Sequence, residues 1–161
     1  MTTSNIQLFY TLLFLILTHP LVAQQTSPLY PSKIPNSLPV ANEEKSTEEN
    51  NVTIVRNITI PTITYYPAPT QSATRSAVII FPGGGYTINA ISHEGHDIAR
   101  RFNAIGVTAF VVKYRIPDDK TMENKEIGPL QDAQQAIKTV RENAATYRID
   151  ANKIGIMGLF R

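Results

Sequence analysis

Ala77-Val78-Ile79-Ile80-Phe81-Pro82-Gly83-Gly84-Gly85-Tyr86 decides the fold of this chain. The apolar run from Ala77 to Phe81 has no polar face, the mark of a strand buried on both sides in a sheet covered by helices. Pro82 ends it, having no N–H to give a ladder. Three successive glycines then predict a tight loop with backbone conformations that a Cβ would oppose.

Downstream, the pattern alternates. Ser92 to Ala104 carries a helical stripe of Ile98, Ala99 and Phe102, continued by Ile105. Ser92 suits the N-cap, Glu94 and Asp97 suit the positive end of the dipole, and Gly106 falls where a helix stops. Val107 to Val112 reads as a second buried strand, followed by a polar loop from about Arg115 to Ile127. Pro129 suits a first helical turn, with Leu130, Ala133, Ile137, Val140 and Ala144 as the stripe. Lys153 to Gly158 is a third strand. Strand, helix, strand, helix, strand predicts an α/β fold built on a mostly parallel sheet.

Upstream, Val52–Val55, Asn57–Ile60 and Thr62–Tyr66 are β-branched and aromatic, as in antiparallel strands with one wet face. Asn51-Val52-Thr53 and Asn57-Ile58-Thr59 match the glycosylation triplet, which matters only in a eukaryotic host. Residues 24–50 are rich in Pro, Ser, Thr, Asn and Glu without hydrophobic period. They read as a flexible linker, the alternative being an extended stretch packed on the domain surface. Leu8 to Leu17 is apolar but shorter than the roughly 20 residues that span a bilayer. With His19-Pro20 and Ala23 after it, it reads as a signal peptide over 1–23, against an uncleaved anchor helix. The expectation is a secreted or periplasmic protein with no stable membrane anchor once cleaved, its domain occupying 51–161.

The 161 residues include no cysteine, which excludes disulfides and thiolate-held metal. Charged residues make up 17% and the net charge is +2 without a basic cluster, so no nucleic-acid partner is expected. No cofactor is expected either. His93 and His96, with Glu94 and Asp97 beside them, have a spacing compatible with metal, but no further ligand set accompanies them. A dinucleotide loop would need glycine at position 88, which is Ile88, and no phosphate-loop Gly-Lys-Ser/Thr follows.

The stretches Phe81–Tyr86, His93-Glu94-Gly95, Lys113-Tyr114-Arg115, Gly128–Ala133 and Lys153–Gly158, in this order, resemble the α/β-hydrolase superfamily. The branch is that of secreted bacterial esterases, which includes acetylxylan-esterase-like and feruloyl-esterase-like enzymes. The resemblance implies a carboxylic-ester hydrolase, acting on a small-molecule or carbohydrate ester such as acetylated plant polysaccharide. It makes Gly83, Gly84 and Gly85 oxyanion-hole candidates, with Pro82 where many relatives have His. Tyr86, Glu94, Arg115 and Asp132 become supports of the site. It also implies Gly-x-Ser-x-Gly from Gly158 onward, followed by an acid and a histidine.

The chain instead reads Gly158-Leu159-Phe160-Arg161. The N-terminal half of the domain is therefore expected to be catalytically incomplete as given. A one-base insertion that turns Phe-Ser-Ala into Leu-Phe-Arg is one origin of this ending, and a fragment is the other. The competing functional class is a secreted α/β module that binds a ligand without catalysis.

Overall fold

The computed structural model describes residues 24–159; the signal peptide expected over 1–23 lies outside them. The strands are β1 (Gln25–Pro28), β2 (Lys45–Glu49), β3 (Val52–Arg56), β4 (Thr62–Tyr66), β5 (Ala77–Phe81), β6 (Thr108–Lys113) and β7 (Ile154–Gly158). A π-helical turn over Ser92–His96 leads into α1 (Asp97–Ala104), and α2 spans Gly128–Glu142. The main sheet has the order β1-β4-β6-β5-β7. Around β5 it is parallel, with Ile79 opposite Phe110 on β6 and Ile156 on β7. β1, β4 and β6 pair antiparallel.

Alternation along the buried strands separates two cores. Ile79, Phe110 and Val112 face Ala136 and Val140 of α2, while Val78, Ile80, Ala109 and Val111 face Ala99 of α1. A strand with apolar residues at every position can serve both, which is why β5 and β6 have no polar alternate. On α2 the sheet-facing row is Gly128, Asp132, Ala136 and Val140. The expected stripe holds in its C-terminal half, where Val140 and Ala144 are buried and the partly buried Ile137 packs against the same core. Leu130 is 57% exposed, and Ala133 turns toward a cleft that Ile137 also borders.

Three further local expectations give way. Asn57–Ile60 is not a strand: Asn57 sits at φ 53°, left-handed, and the chain turns there to bury Ile58. Ser92 does not cap a helix; its Oγ accepts the N–H of Thr53 at 2.7 Å, tying the π-turn to β3. Residues 24–50 are not a free linker. β1 pairs with β4, β2 pairs with β3, and Leu29 is 2% exposed in the α2-side core.

Burial of Leu29 is reinforced by a polar clamp next to it. Arg115, 1% exposed, directs its Nε and Nη2 to the carboxylate of Asp132, 0% exposed, at 2.8–3.1 Å. The backbone N–H of Arg115 donates to Asp132 Oδ2 at 2.9 Å and the Tyr30 hydroxyl to Oδ1 at 2.9 Å. Nη1 of Arg115 donates to Pro35 O and Ser37 Oγ at 2.8 and 2.9 Å. One buried cation thus holds the exit of β6, the start of α2 and residues 30–37 together. Burial, helped by the Asp132 charge, raises the Tyr30 hydroxyl far above its ordinary 10, so it stays a donor.

On the opposite core, His96 Nδ1 lies 2.6 Å from the Tyr66 hydroxyl. Burial, then the charge of Arg100, hold His96 below its ordinary 6.5, with Asp97 opposing. The unfolded chain therefore takes up this proton first as pH falls. Stability from neutral His96 is whole above 6.5 and is lost between 6.5 and the lower folded value.

Three measurements check this architecture. Leu29→Ala is expected to cost about 2–5 kcal/mol in urea unfolding; an unmoved midpoint would return residues 24–50 to linker status. Asp132→Ala leaves Arg115 buried without its carboxylate and costs about 3–5 kcal/mol. Between pH 7.5 and 5.5, the native chain should lose more stability than His96→Gln; equal losses would mean that His96 titrates alike in both states.

Candidate active site

Strand order positions the site. The chain passes from β5 to β6 on one side, then crosses β5 to lay down β7 on the other. At the carboxyl end of β5 the two connections diverge, which is where open α/β sheets form a ligand crevice. The glycine loop occupies that end. A cleft of about 690 Å³ opens beside it, lined by the loop, Tyr114, α2 residues such as Leu130 and Ile137, and Ile156 and Leu159 at β7.

The three glycines are not equivalent. The Gly83 N–H is committed, donating to Glu94 Oε2 at 2.8 Å in a buried bond. The Gly83 carbonyl accepts the Ala90 N–H at 3.0 Å, and the Gly84 carbonyl accepts the N–H groups of Thr87 and Ile88 at 3.0 and 3.2 Å. The N–H groups of Gly84 and Gly85 have no hydrogen-bond partner among the described residues. Gly84 sits at φ 144°, and a Cβ there would collide with the Ile88 carbonyl, so no other residue fits. Gly85 and Tyr86 follow in left-handed backbone at φ 59° and 57°.

Glu94 and Tyr114 anchor the loop from behind. The Tyr114 hydroxyl donates to the Pro82 carbonyl at 2.8 Å. Burial, with Tyr86 and Glu94 adding to it, pushes that hydroxyl up to about 12, so it remains protonated. Gly95 packs tightly enough on Pro82 and Val111 that a Cβ would crowd both. These contacts fix the loop from behind. The loop also meets the end of β7: a Cβ on Gly83 would lie 2.5 Å from the Leu159 carbonyl, and the Leu159 N–H donates to Phe81 O at 3.2 Å.

Of the expected supports, Tyr86 lines the cleft, 55% exposed, with its ring edge-on to Tyr114 at 6.5 Å. Glu94 lies behind the loop. Arg115 and Asp132 do not line the cleft; they form the buried clamp under its α2 wall. His93 and His96 do not converge. His93 Nε2 is 3.5 Å from Glu94 Oε1, whereas His96 faces Tyr66. Among the described residues no three His, Asp or Glu side chains gather around a common point. The cleft lining among those residues includes no Ser, His or Asp.

Sequence reasoning missed Asn89, wholly buried behind the loop with its Oδ1 lacking a partner among the described residues. It also missed Tyr30, Pro35 and Ser37 of the clamp. A lone tyrosine and serine in a proline-rich stretch carry no spacing signal, since their partners lie up to 102 positions away.

Known proteins share this architecture. The BD-FAE family model matches residues 64–160. An acetylxylan esterase of Xylanibacter ruminicola is 37% identical over 89 residues, covering 55% of this chain and 17% of its own length. Endo-1,4-beta-xylanase B of Butyrivibrio fibrisolvens is 40% identical over 87 residues, covering 52% and 13%. The crystal structure of an acetyl ester-xyloside bifunctional hydrolase from Caldicellulosiruptor lactoaceticus superposes with TM-score 0.64 at 29% identity. That superposition covers 84% of this chain and 42% of the other. Esterase 2 of Thermogutta terrifontis gives TM-score 0.51 at 25% identity, covering 80% and 42%. The chain thus spans under a fifth of the two sequence relatives' length and less than half of each of these structures. Its partial α/β-hydrolase sheet and the match over most of its domain have one reading: the chain belongs to the BD-FAE family, within the esterase branch of the α/β-hydrolases.

Proposed function

We propose that the cleft is the oxyanion side of a serine-type carboxylic-ester hydrolase site. The observation that carries this is the division of labour in the glycine loop. Glu94 holds Gly83, which leaves the N–H groups of Gly84 and Gly85 beside the cleft with no partner among the described residues. Attack on an ester carbonyl places negative charge on its oxygen, and preorganised N–H donors stabilise that charge without reorganising. Donors fixed by buried anchors serve this better than mobile ones.

The nucleophile belongs two residues beyond Gly158, where the sequence has Phe160. In this reading residues 1–161 carry the donors, while Phe160 stands where the nucleophilic serine belongs, so these residues by themselves are expected not to hydrolyse esters. The substrate class is an acetylated carbohydrate, as the names of the xylan-related relatives suggest. Export through the Leu8–Leu17 segment would bring the site to extracellular polysaccharide.

Two experiments test this. Acetate titrated into ¹⁵N-labelled chain should shift the Gly84 and Gly85 amides and spare Gly83; shifts at Gly83 alone, or none in the loop, would sink the donor assignment. p-Nitrophenyl acetate should be consumed at the buffer rate, and turnover blocked by a serine-directed phosphonate would overturn the missing-nucleophile account.

A further inference from the structure

Part of the cleft wall comes from the segment 116–127, which brings Pro117, Lys125 and Glu126 to the cleft. This segment has little internal support. Asp118 closes a turn by accepting from Lys120, Thr121 and Met122, and Asn124 Oδ1 accepts the Glu126 N–H at 3.0 Å. Lys125 pairs with Asp119 at the surface. Apart from the Ile127 carbonyl, which opens α2, every hydrogen bond leaving this segment among the described residues lands on residues 36–38.

Asn36 is the centre of that attachment. Its Nδ2 donates to the Asn124 carbonyl at 2.6 Å, and its Oδ1 accepts the Asn124 N–H at 2.7 Å. The side chain thus pairs with a backbone as a second strand would. The Asn36 carbonyl accepts the Glu123 N–H at 3.3 Å, the Leu38 N–H donates to Thr121 O at 2.9 Å, and Ser37 bridges Met122. Asn36 takes left-handed backbone at φ 58°, a conformation asparagine tolerates, and this is what turns its amide toward the segment. The strap itself is rooted on both sides of Asn36, because Arg115 donates to Pro35 O and to Ser37 Oγ.

We infer that residues 35–38 are a strap that sets the outer wall of the cleft, and that Asn36 is a positioning residue for whatever part of a ligand leans on that wall. The inference deepens the esterase reading and rests on it for the meaning of the cleft. The glycine loop would receive the acyl oxygen, and the strapped wall would select the alcohol side of the ester. Selectivity is then set in part by a segment that never touches the ligand.

The test uses the full chain with two probes, acetate for the glycine loop and p-nitrophenol for the wall. Asn36→Gly removes the clasp while keeping the left-handed backbone free of strain. Asn36→Asp keeps the acceptor for the Asn124 N–H and loses the donor, as a milder variant should the glycine form fold poorly. Asn143→Ala, which removes only a surface bond to the Thr139 carbonyl at the far end of α2, is the control. Expected in Asn36→Gly are at least tenfold faster hydrogen exchange at Glu123 and Asn124 and a p-nitrophenol Kd raised at least fivefold. Exchange in β5 and β6 and the acetate shifts of Gly84 and Gly85 should be unchanged. Asn36→Asp should fall between, and Asn143→Ala should bind p-nitrophenol as the native chain does. Equal weakening of both probes, or unchanged exchange at Glu123 and Asn124, would overturn the strap. Absence of acetate shifts in the native chain would instead count against the esterase reading alone.

Discussion

A guanidinium sealed from water must find a partner for each of its donors, and Arg115 finds them in segments far apart in sequence. The Asp132 carboxylate neutralises it, and the carbonyl of Pro35 and hydroxyl of Ser37 take the remaining face. Desolvating this pair offsets much of its Coulomb attraction, so its net contribution to stability is small even though removing one partner is costly. What the pair supplies is position. With both ions in place, the start of α2, the exit of β6 and the N-terminal strap have one mutual arrangement, and the cleft walls follow from it.

The second constraint acts one layer away, at the end of β5. A strand buried on both faces delivers its carboxyl end rigidly, and Pro82 hands the chain to a loop whose carbonyls are already occupied. Tyr114 takes one, Ala90 another, and Thr87 with Ile88 a third. With Gly83 held by Glu94, the donors of Gly84 and Gly85 are left over by exclusion. The loop's polarity at the cleft is set by what its neighbours consume.

How much of this could be read in the sequence depends on the range of each signal. β5 and β6 were legible because burial on both faces writes itself into consecutive residues; β7 was legible from its short apolar run, although it lies at the sheet edge with Ile156 exposed. The α1 stripe was legible for the same local reason at Ile98, Ala99 and Phe102, but Ile105, expected to continue it, lies past the helix end and is exposed. On α2 the row facing the sheet includes Asp132, so an apolar stripe pointed to Leu130 and Ala133 instead, which line the cleft. Gly83, Gly84 and Gly85 are the same letter three times, and only the carboxylate eleven positions later separates them. Ser92 has the chemistry of a cap, but the Thr53 N–H, 39 positions earlier, claims its oxygen. The strap was hidden because few of its residues are apolar; Leu29 and Tyr30 anchor a stretch whose composition is that of a solvated chain.

The separation of Tyr30 from Asp132 has a temporal consequence. At synthesis rates of about 5–20 residues per second, the carboxylate that receives the Tyr30 hydroxyl is made roughly 5–20 s after the tyrosine. Until then the segment carrying Leu29, Tyr30 and Ser37 lacks the α2 side of its core and the carboxylate that receives its tyrosine. The first part of the domain to be made is thus among the last to lock. Contacts of such long sequence separation also slow the final folding step, since the loop they close must be ordered before it gives anything back.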